Sequence, residues 1–167
     1  FMVYLDYSAT TPVSLEVLSK FIDNIDNDSI LLDEERKKVQ KLLNTKLDVL
    51  YTSGATESNN LAIKGVALNY LGQKKHIITT RLEHSSILEQ MKFLEKNGFI
   101  IDYVPLENGI VTIENLKKMI TDDTILVSIC AVNSEVGLRQ PIEEIGLFLK
   151  NYKNIIFHSD MTQIIGK

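Results

Sequence analysis

Residues 51–65, YTSGATESNNLAIKG, run from a β-branched and aromatic approach through a corner of small residues into a stretch that can form a helix. Where a strand ends in small residues and feeds a helix, the first backbone N–H groups of that helix lack intrahelical acceptors. They converge on one point with the positive end of the helix dipole behind them. Such a point attracts an anion. Gly54 and Ala55 let a phosphate approach the backbone, and the hydroxyls of Ser53 and Thr56 can add hydrogen bonds. The alternative is that Ser53 or Thr56 simply caps the helix, as such residues commonly do. The corner is not a dinucleotide-binding glycine fingerprint, and it lacks the lysine of a nucleoside-triphosphate loop.

Three other residues have side chains capable of chemistry. Asp160 follows the apolar run NIIF, at what should be the carboxyl end of a strand, where ligands of open α/β sheets collect. The competing reading is a loop-start aspartate capping local N–H groups. His84, next to Glu83, reads on its own as a solvated residue at a helix start. Cys130 lies inside the Val/Ile-rich run TILVSICAV, where a cysteine behaves as a small buried hydrophobe and not as a sulfur carrier.

The elements that must position these residues follow from the hydrophobic pattern. Strand-length apolar runs at 47–52, 76–80, 99–106, 124–132 and 154–160 are mostly dense in Ile, Val and Leu, which suits strands buried on both faces of a parallel sheet. Between them stand helix-length segments at 57–71, 84–98, 112–120 and 141–152, giving the alternation of βαβ units. Gly98, the Asn108-Gly109 pair and Pro141 supply stop, turn and start signals. The expected fold is α/β: five or so mostly parallel strands with helices on both faces. The first 45 residues read differently, as an extended MVYLDYSATTP followed by helices near 14–25 and 32–44, with a polar, turn-prone DNIDNDSI between them that could form a mobile loop. The expected division is therefore an N-terminal region, 1–45, and an α/β region, 46–167.

Composition narrows the partners. At 167 residues, 44% hydrophobic and with a net charge of -4 spread without long single-sign blocks, the chain reads as a globular domain without an electrostatic footprint for nucleic acid or an anionic membrane. A small molecule or a protein is the expected partner. Its single cysteine cannot make an internal disulfide, and no apolar run approaches the roughly 20 residues that span a bilayer. With no signal-peptide pattern at the N-terminus, the expected location is cytoplasmic.

YLDYSATTP at 4–12, TSGATESNNLAIKG at 52–65, EHSSIL at 83–88, DDTILVSICAVNSEVGLRQPIEEIG at 122–146 and FHSDMTQIIGK at 157–167 resemble, in order, the motifs of the cysteine desulfurase family. These are fold-type I pyridoxal 5'-phosphate enzymes of the class V aminotransferase group, and the resemblance covers nearly the whole chain. It implies that Ala55 and Thr56 hold the cofactor phosphate, in agreement with the anion corner. It implies that His84 stacks on the pyridine ring and serves in proton transfer, that Asp160 pairs with the protonated ring nitrogen, and that Gln163 hydrogen-bonds the phenolic oxygen. A carboxylate at that nitrogen is what an electron-sink cofactor needs, since it keeps the ring protonated.

The departures from the family pattern also carry expectations. In AVNSEVG, Ser134 occupies the place of the asparagine that contacts the cofactor and helps hold the substrate carboxylate. Either Asn133 substitutes through a small backbone shift or the substrate contacts differ. The stretch 25–33 is shorter than usual and lacks the family's Asn-Pro-Ser-Ser-type loop. The family's cofactor-linking lysine, in a Ser-Gly-His-Lys segment, and its persulfide-forming cysteine do not occur here, and Lys167 is assigned to neither role. The resemblance thus implies the N-terminal part of a desulfurase that converts cysteine to alanine and passes sulfur to a scaffold protein for iron–sulfur assembly, inactive by itself. Other class V enzymes, such as a selenocysteine lyase or a small amino acid aminotransferase, and a non-catalytic module remain alternatives. Fold-type I enzymes are typically homodimers, so a homo-oligomer is expected.

Overall fold

The computed structural model describes residues 15–16, 19, 28–73 and 75–165. The expected extended segment at the N-terminus lies outside the described residues, and of the helix expected at 14–25 only Leu15, Glu16 and Ser19 are described, all helical. The chain divides into two compact units, Phe1–Tyr51 and Thr52–Lys167.

In the first unit, α1 spans Asp28–Leu42, so the last residues of the polar stretch are its first turn and not a loop. Ion pairs Arg36–Asp33 (2.9 Å) and Lys38–Glu35 (2.5 Å) line its exposed side at i,i+3 spacing. The strand expected at 47–52 does not form. A strand exists only through a ladder with a neighbour, and no described strand pairs with this segment, whose Leu47 and Leu50 are 77% and 66% exposed.

The second unit is a parallel α/β layer. In chain order it comprises α2 (Ala55–Ala67), a 3-10 turn (Leu68–Tyr70), β1 (His76–Thr79), α3 (Ser85–Lys96), β2 (Ile100–Tyr103), β3 (Leu106–Glu107), β4 (Ile110–Val111), α4 (Ile113–Met119), β5 (Thr124–Ser128), α5 (Ile142–Leu149) and β6 (Ile156–His158). Four strands form one sheet in the order β2-β1-β5-β6, every pair parallel. The expected strand 99–106 stops at Tyr103. Beyond it an unanticipated antiparallel pair, β3–β4, turns at Asn108 and Gly109, whose φ values of 51° and 81° are those a two-residue hairpin demands.

Alternation along each strand assigns the two faces. Ile77 pairs with Leu126, and both pack on one face under Ile63 and Ala67 of α2 and Ile87, Met91 and Leu94 of α3. Ile78 pairs with Val127, and these pack on the other face under Leu116 of α4 and Ile145 and Leu149 of α5. The opposite faces follow from handedness: β1–α3–β2 runs outward in one direction and β5–α5–β6 in the other, and right-handed crossovers then place their helices on opposite sides. The reversal lies between β1 and β5, so the loops leaving their carboxyl ends part there and open a crevice. Among the described residues no helix is long and apolar enough to cross a membrane.

Candidate functional site

The small-residue corner forms the start of α2. Gly54 is the N-cap and no side chain caps the helix. The hydroxyls that could have done so are committed elsewhere. Ser53 donates both its N–H (2.7 Å) and its hydroxyl (2.6 Å) to the Glu57 carboxylate, and Thr52 Oγ1 bonds the Gly54 carbonyl and Ser58 Oγ. These bonds, the Ser53 hydroxyl first, hold Glu57 below the usual carboxylate range. Thr56 contributes its carbonyl to Asn60 Nδ2. A Cβ on Gly54 would meet nothing within 4 Å, so the space before the helix is open to a ligand. The capping reading is therefore not what the structure shows: no side-chain hydrogen bond caps this 13-residue helix.

Asp160 stands two residues beyond β6, and its backbone carbonyl accepts from the Ala131 N–H (2.9 Å), which ties it to the chain after β5. Its Oδ1 accepts from Thr162 N–H (3.0 Å) and Oγ1 (2.6 Å), and its Oδ2 from Asn59 Nδ2 (2.9 Å). Partial burial pushes this carboxyl group up. The hydrogen bonds from the Thr162 hydroxyl, Asn59 and the Thr162 N–H, with His158 nearby, outweigh that and hold it below its ordinary value. Asp160 is thus a fixed anion. His158, against Ser128 Oγ (2.9 Å), is held below the usual histidine value by burial, with Asp160 opposing.

The fourth side chain of the network is His84, the N-cap of α3. Its Nδ1 lies 3.2 Å from the Ser86 N–H and 2.9 Å from Ser86 Oγ. A backbone N–H can only donate, so Nδ1 is the acceptor and the ring proton sits on Nε2. It follows that the Ser86 hydroxyl donates to His84 and itself accepts from Asn59 Nδ2 (3.1 Å). A continuous chain of hydrogen bonds therefore runs from the exposed ring of His84 through Ser86 and Asn59 to Asp160. Ala55, Ser58 and Asn59 of α2 and His158, Asp160 and Thr162 of the β6 end line one open cleft of about 360 Å³.

Of the residues singled out in the sequence, the structure brings Ala55 and Asp160 to this cleft and links His84 to Asp160. Thr56 lies exposed on the first turn of α2, and Gln163 is half-buried in the turn after Asp160. Ser134 is half-buried in the turn that follows Asn133. The Asn133 side chain is engaged in building that turn. Its Nδ2 donates to the Leu82 carbonyl (2.8 Å), and its Oδ1 accepts from the N–H groups of Glu135 (3.0 Å) and Val136 (2.8 Å). Asn59, Ser86 and Glu83 were not identified from the sequence. For Asn59 a signal existed: it shares the buried i,i+4 stripe of α2 with Ile63 and Ala67, a polar residue in an apolar row.

With this geometry, the family model described as aminotransferase class-V matches residues 3–167. The chain belongs to the class V aminotransferase family. Among its curated class V relatives, cysteine desulfurase IscS of Buchnera aphidicola subsp. Acyrthosiphon pisum (strain 5A) is 41% identical over 184 residues, covering 99% of this chain and 45% of the relative. Cysteine desulfurase IscS of Clostridium botulinum (strain Hall) is 46% identical over 182 residues, covering 98% and 45%. A solved NifS-like protein superposes with a TM-score of 0.92 at 38% identity over all of this chain and 50% of its own. The structure titled SspA in complex with cysteine gives 0.83 at 34%, over 96% and 51%. The chain spans about half the length of the class V relatives it matches.

The family resemblance carried by the sequence motifs implies pyridoxal phosphate as the cofactor. The residues present fit that group: an uncapped helix N-terminus suits its phosphate dianion, and a fixed carboxylate suits its protonated ring nitrogen.

Proposed function

We propose that this chain forms the cofactor-holding part of a pyridoxal 5'-phosphate-dependent cysteine desulfurase, which converts cysteine to alanine and passes the sulfur to an acceptor protein in iron–sulfur cluster assembly in the cytoplasm. The observation that carries the proposal is the pairing, in one cleft, of the uncapped start of α2 with the fixed carboxylate of Asp160. When bound, the cofactor supplies an electron sink for the charge that develops at the α-carbon of the amino acid.

The protein's own residues do the rest. The first N–H groups of α2, at Ala55 and Thr56, bind the phosphate. Asp160 keeps the ring nitrogen protonated, Gln163 donates to the phenolic oxygen, and His84 covers the ring face. Because its Nδ1 accepts from Ser86, His84 presents Nε2–H as a hydrogen-bond donor. Ser134 stands where the family places an amide that contacts cofactor and substrate carboxylate. With Asn133 engaged in its own turn, the shorter hydroxyl leaves room for another small amino acid, and a different class V substrate is the second reading.

The test has two arms. The 167-residue chain should bind pyridoxal phosphate without a covalent bond and release no sulfide from cysteine, since it lacks the family's Ser-Gly-His-Lys segment. In the whole enzyme, Asp160→Ala should lower sulfide and alanine production at least ~100-fold while leaving the circular dichroism spectrum unchanged. Full activity in that variant would remove Asp160 from the mechanism.

A further inference from the structure

Glu83 is 5% exposed, a charged residue type buried beside an exposed histidine at the crevice between β1 and β5. Its Oε1 accepts from Thr80 Oγ1 (2.7 Å), at the far end of its own turn, and from the Cys130 N–H (2.9 Å), across the crevice. Thr80 Oγ1 in turn accepts from the Leu82 N–H (3.1 Å). A second stitch runs parallel: the Leu82 carbonyl accepts from Asn133 Nδ2 (2.8 Å) and from Cys130 Sγ (3.5 Å). The turn from Thr80 to His84 is thus fastened at two points to the chain leaving β5, and its last residue is the N-cap of α3.

We propose that Glu83 is a positioning residue, whose buried carboxyl group locks the Thr80–His84 turn onto the chain after β5 and so fixes where the His84 ring stands relative to Asp160. The proposal rests on the reading above, in which His84 faces the cofactor. The clamp uses Glu83 only as an acceptor at Oε1, while Oε2 is buried without a partner. Among the described residues no cation faces it. The titratable groups around it are Cys130, on the chain after β5, whose hydrogen bonds favour the charged carboxylate, and Asp160, beyond β6, whose charge opposes it. Burial, the largest cause, outweighs these bonds and pushes Glu83 up to about 7, so a neutral carboxyl suits the position. A carboxamide offers the same carbonyl acceptor in the same place. Substitution by glutamine should thus keep the clamp, and substitution by alanine should open it.

The experiment compares Glu83→Gln, Glu83→Ala and Thr80→Val in the whole enzyme, with two readouts. The first is the 15N spectrum of the His84 ring with and without cofactor, in which the wild type shows an unprotonated Nδ1 and a protonated Nε2. The second is sulfide release resolved into kcat and KM. We expect the glutamine variant to keep the wild-type ring signature and a kcat within threefold. The alanine variant should show averaged ring tautomers and a kcat lower by roughly 10–100-fold with KM changed far less, the size expected when a catalytic group is misplaced without loss of binding. Thr80→Val removes one of the two donors, should fall between them, and carries the test if the alanine variant does not fold.

A wild-type ring signature and kcat in both Glu83→Ala and Thr80→Val would overturn the proposal. So would a glutamine variant as defective as the alanine one, because the carboxyl proton and not the clamp would then matter. If the wild-type enzyme neither binds pyridoxal phosphate nor releases sulfide, the functional reading fails by itself, while the ring spectrum without cofactor still decides whether Glu83 sets His84.

Discussion

At the scale of single residues, the site depends on two buried polar side chains doing opposite things. Asn59 spends its two amide protons on Asp160 and Ser86, and so connects the carboxylate to the histidine. Asn59→Ala should weaken pyridoxal phosphate binding roughly tenfold, the order of one charge-assisted hydrogen bond of about 1.5 kcal/mol, and should raise the Asp160 pKa. Equilibrium titration followed by cofactor absorbance measures the first, and unaltered affinity would show that Asp160 does not need this donor. Glu83 imposes a pH dependence. Its pKa rises from 4.5 to about 7 on folding, so the native state holds the proton more tightly than the unfolded chain does. The stability it contributes is fully present below pH 4.5 and is lost as pH climbs through 7. The unfolding free energy of wild type relative to Glu83→Gln should therefore fall by on the order of 3 kcal/mol across that window. Parallel denaturation curves at pH 5 and 8 would contradict this.

At the scale of elements, the hairpin β3–β4 is held by local geometry and by one buried side chain. Gln140, 2% exposed, accepts from the Val111 N–H (2.9 Å) and donates to the Gly109 carbonyl (2.8 Å), pinning the hairpin to the segment before α5. Gly109 sits at φ 81°, and a Cβ there would lie 2.4 Å from Leu138 Cδ1. Gly109→Ala should cost roughly 1–3 kcal/mol of stability, seen in denaturant unfolding, and leave cofactor affinity untouched because the hairpin contributes nothing to the cleft lining. The Asn108-Gly109 turn was legible in the sequence, but the strands flanking it were not. Two residues on each side carry too little periodicity to declare a strand, and their pairing is decided by Gln140, about 30 residues further along. Conversely, residues 47–52 have the composition of a strand and form none, because a ladder needs a partner that composition cannot supply.

At the scale of the whole molecule, the four-stranded sheet ends in β2 on one side and β6 on the other, and among the described residues no further strand pairs with either edge. Ile100 and Ile156, on these edge strands, are 48% and 50% exposed. Open parallel edges with apolar side chains pair or associate. The chain should therefore form dimers or larger species at micromolar concentration, with light scattering across a dilution series as the measurement. A monomer at every concentration would reject this.

By itself the sequence determined the layers. Val/Ile/Leu-rich runs alternating with amphipathic segments admit few arrangements other than a parallel sheet between helices, whereas the small-residue corner before α2 read either as an anion site or as a helix cap. The layers are a local property, written in neighbouring residues. The tertiary structure alone decided which polar groups meet. Asn59 reaches Asp160 across 101 positions of sequence, and Glu83 reaches Cys130 across 47. Nothing in the spacing of such residues encodes contact. Their approach is set by strand order, which brings the carboxyl ends of β1, β5 and β6 to one side of the sheet and leaves the crevice where the order reverses.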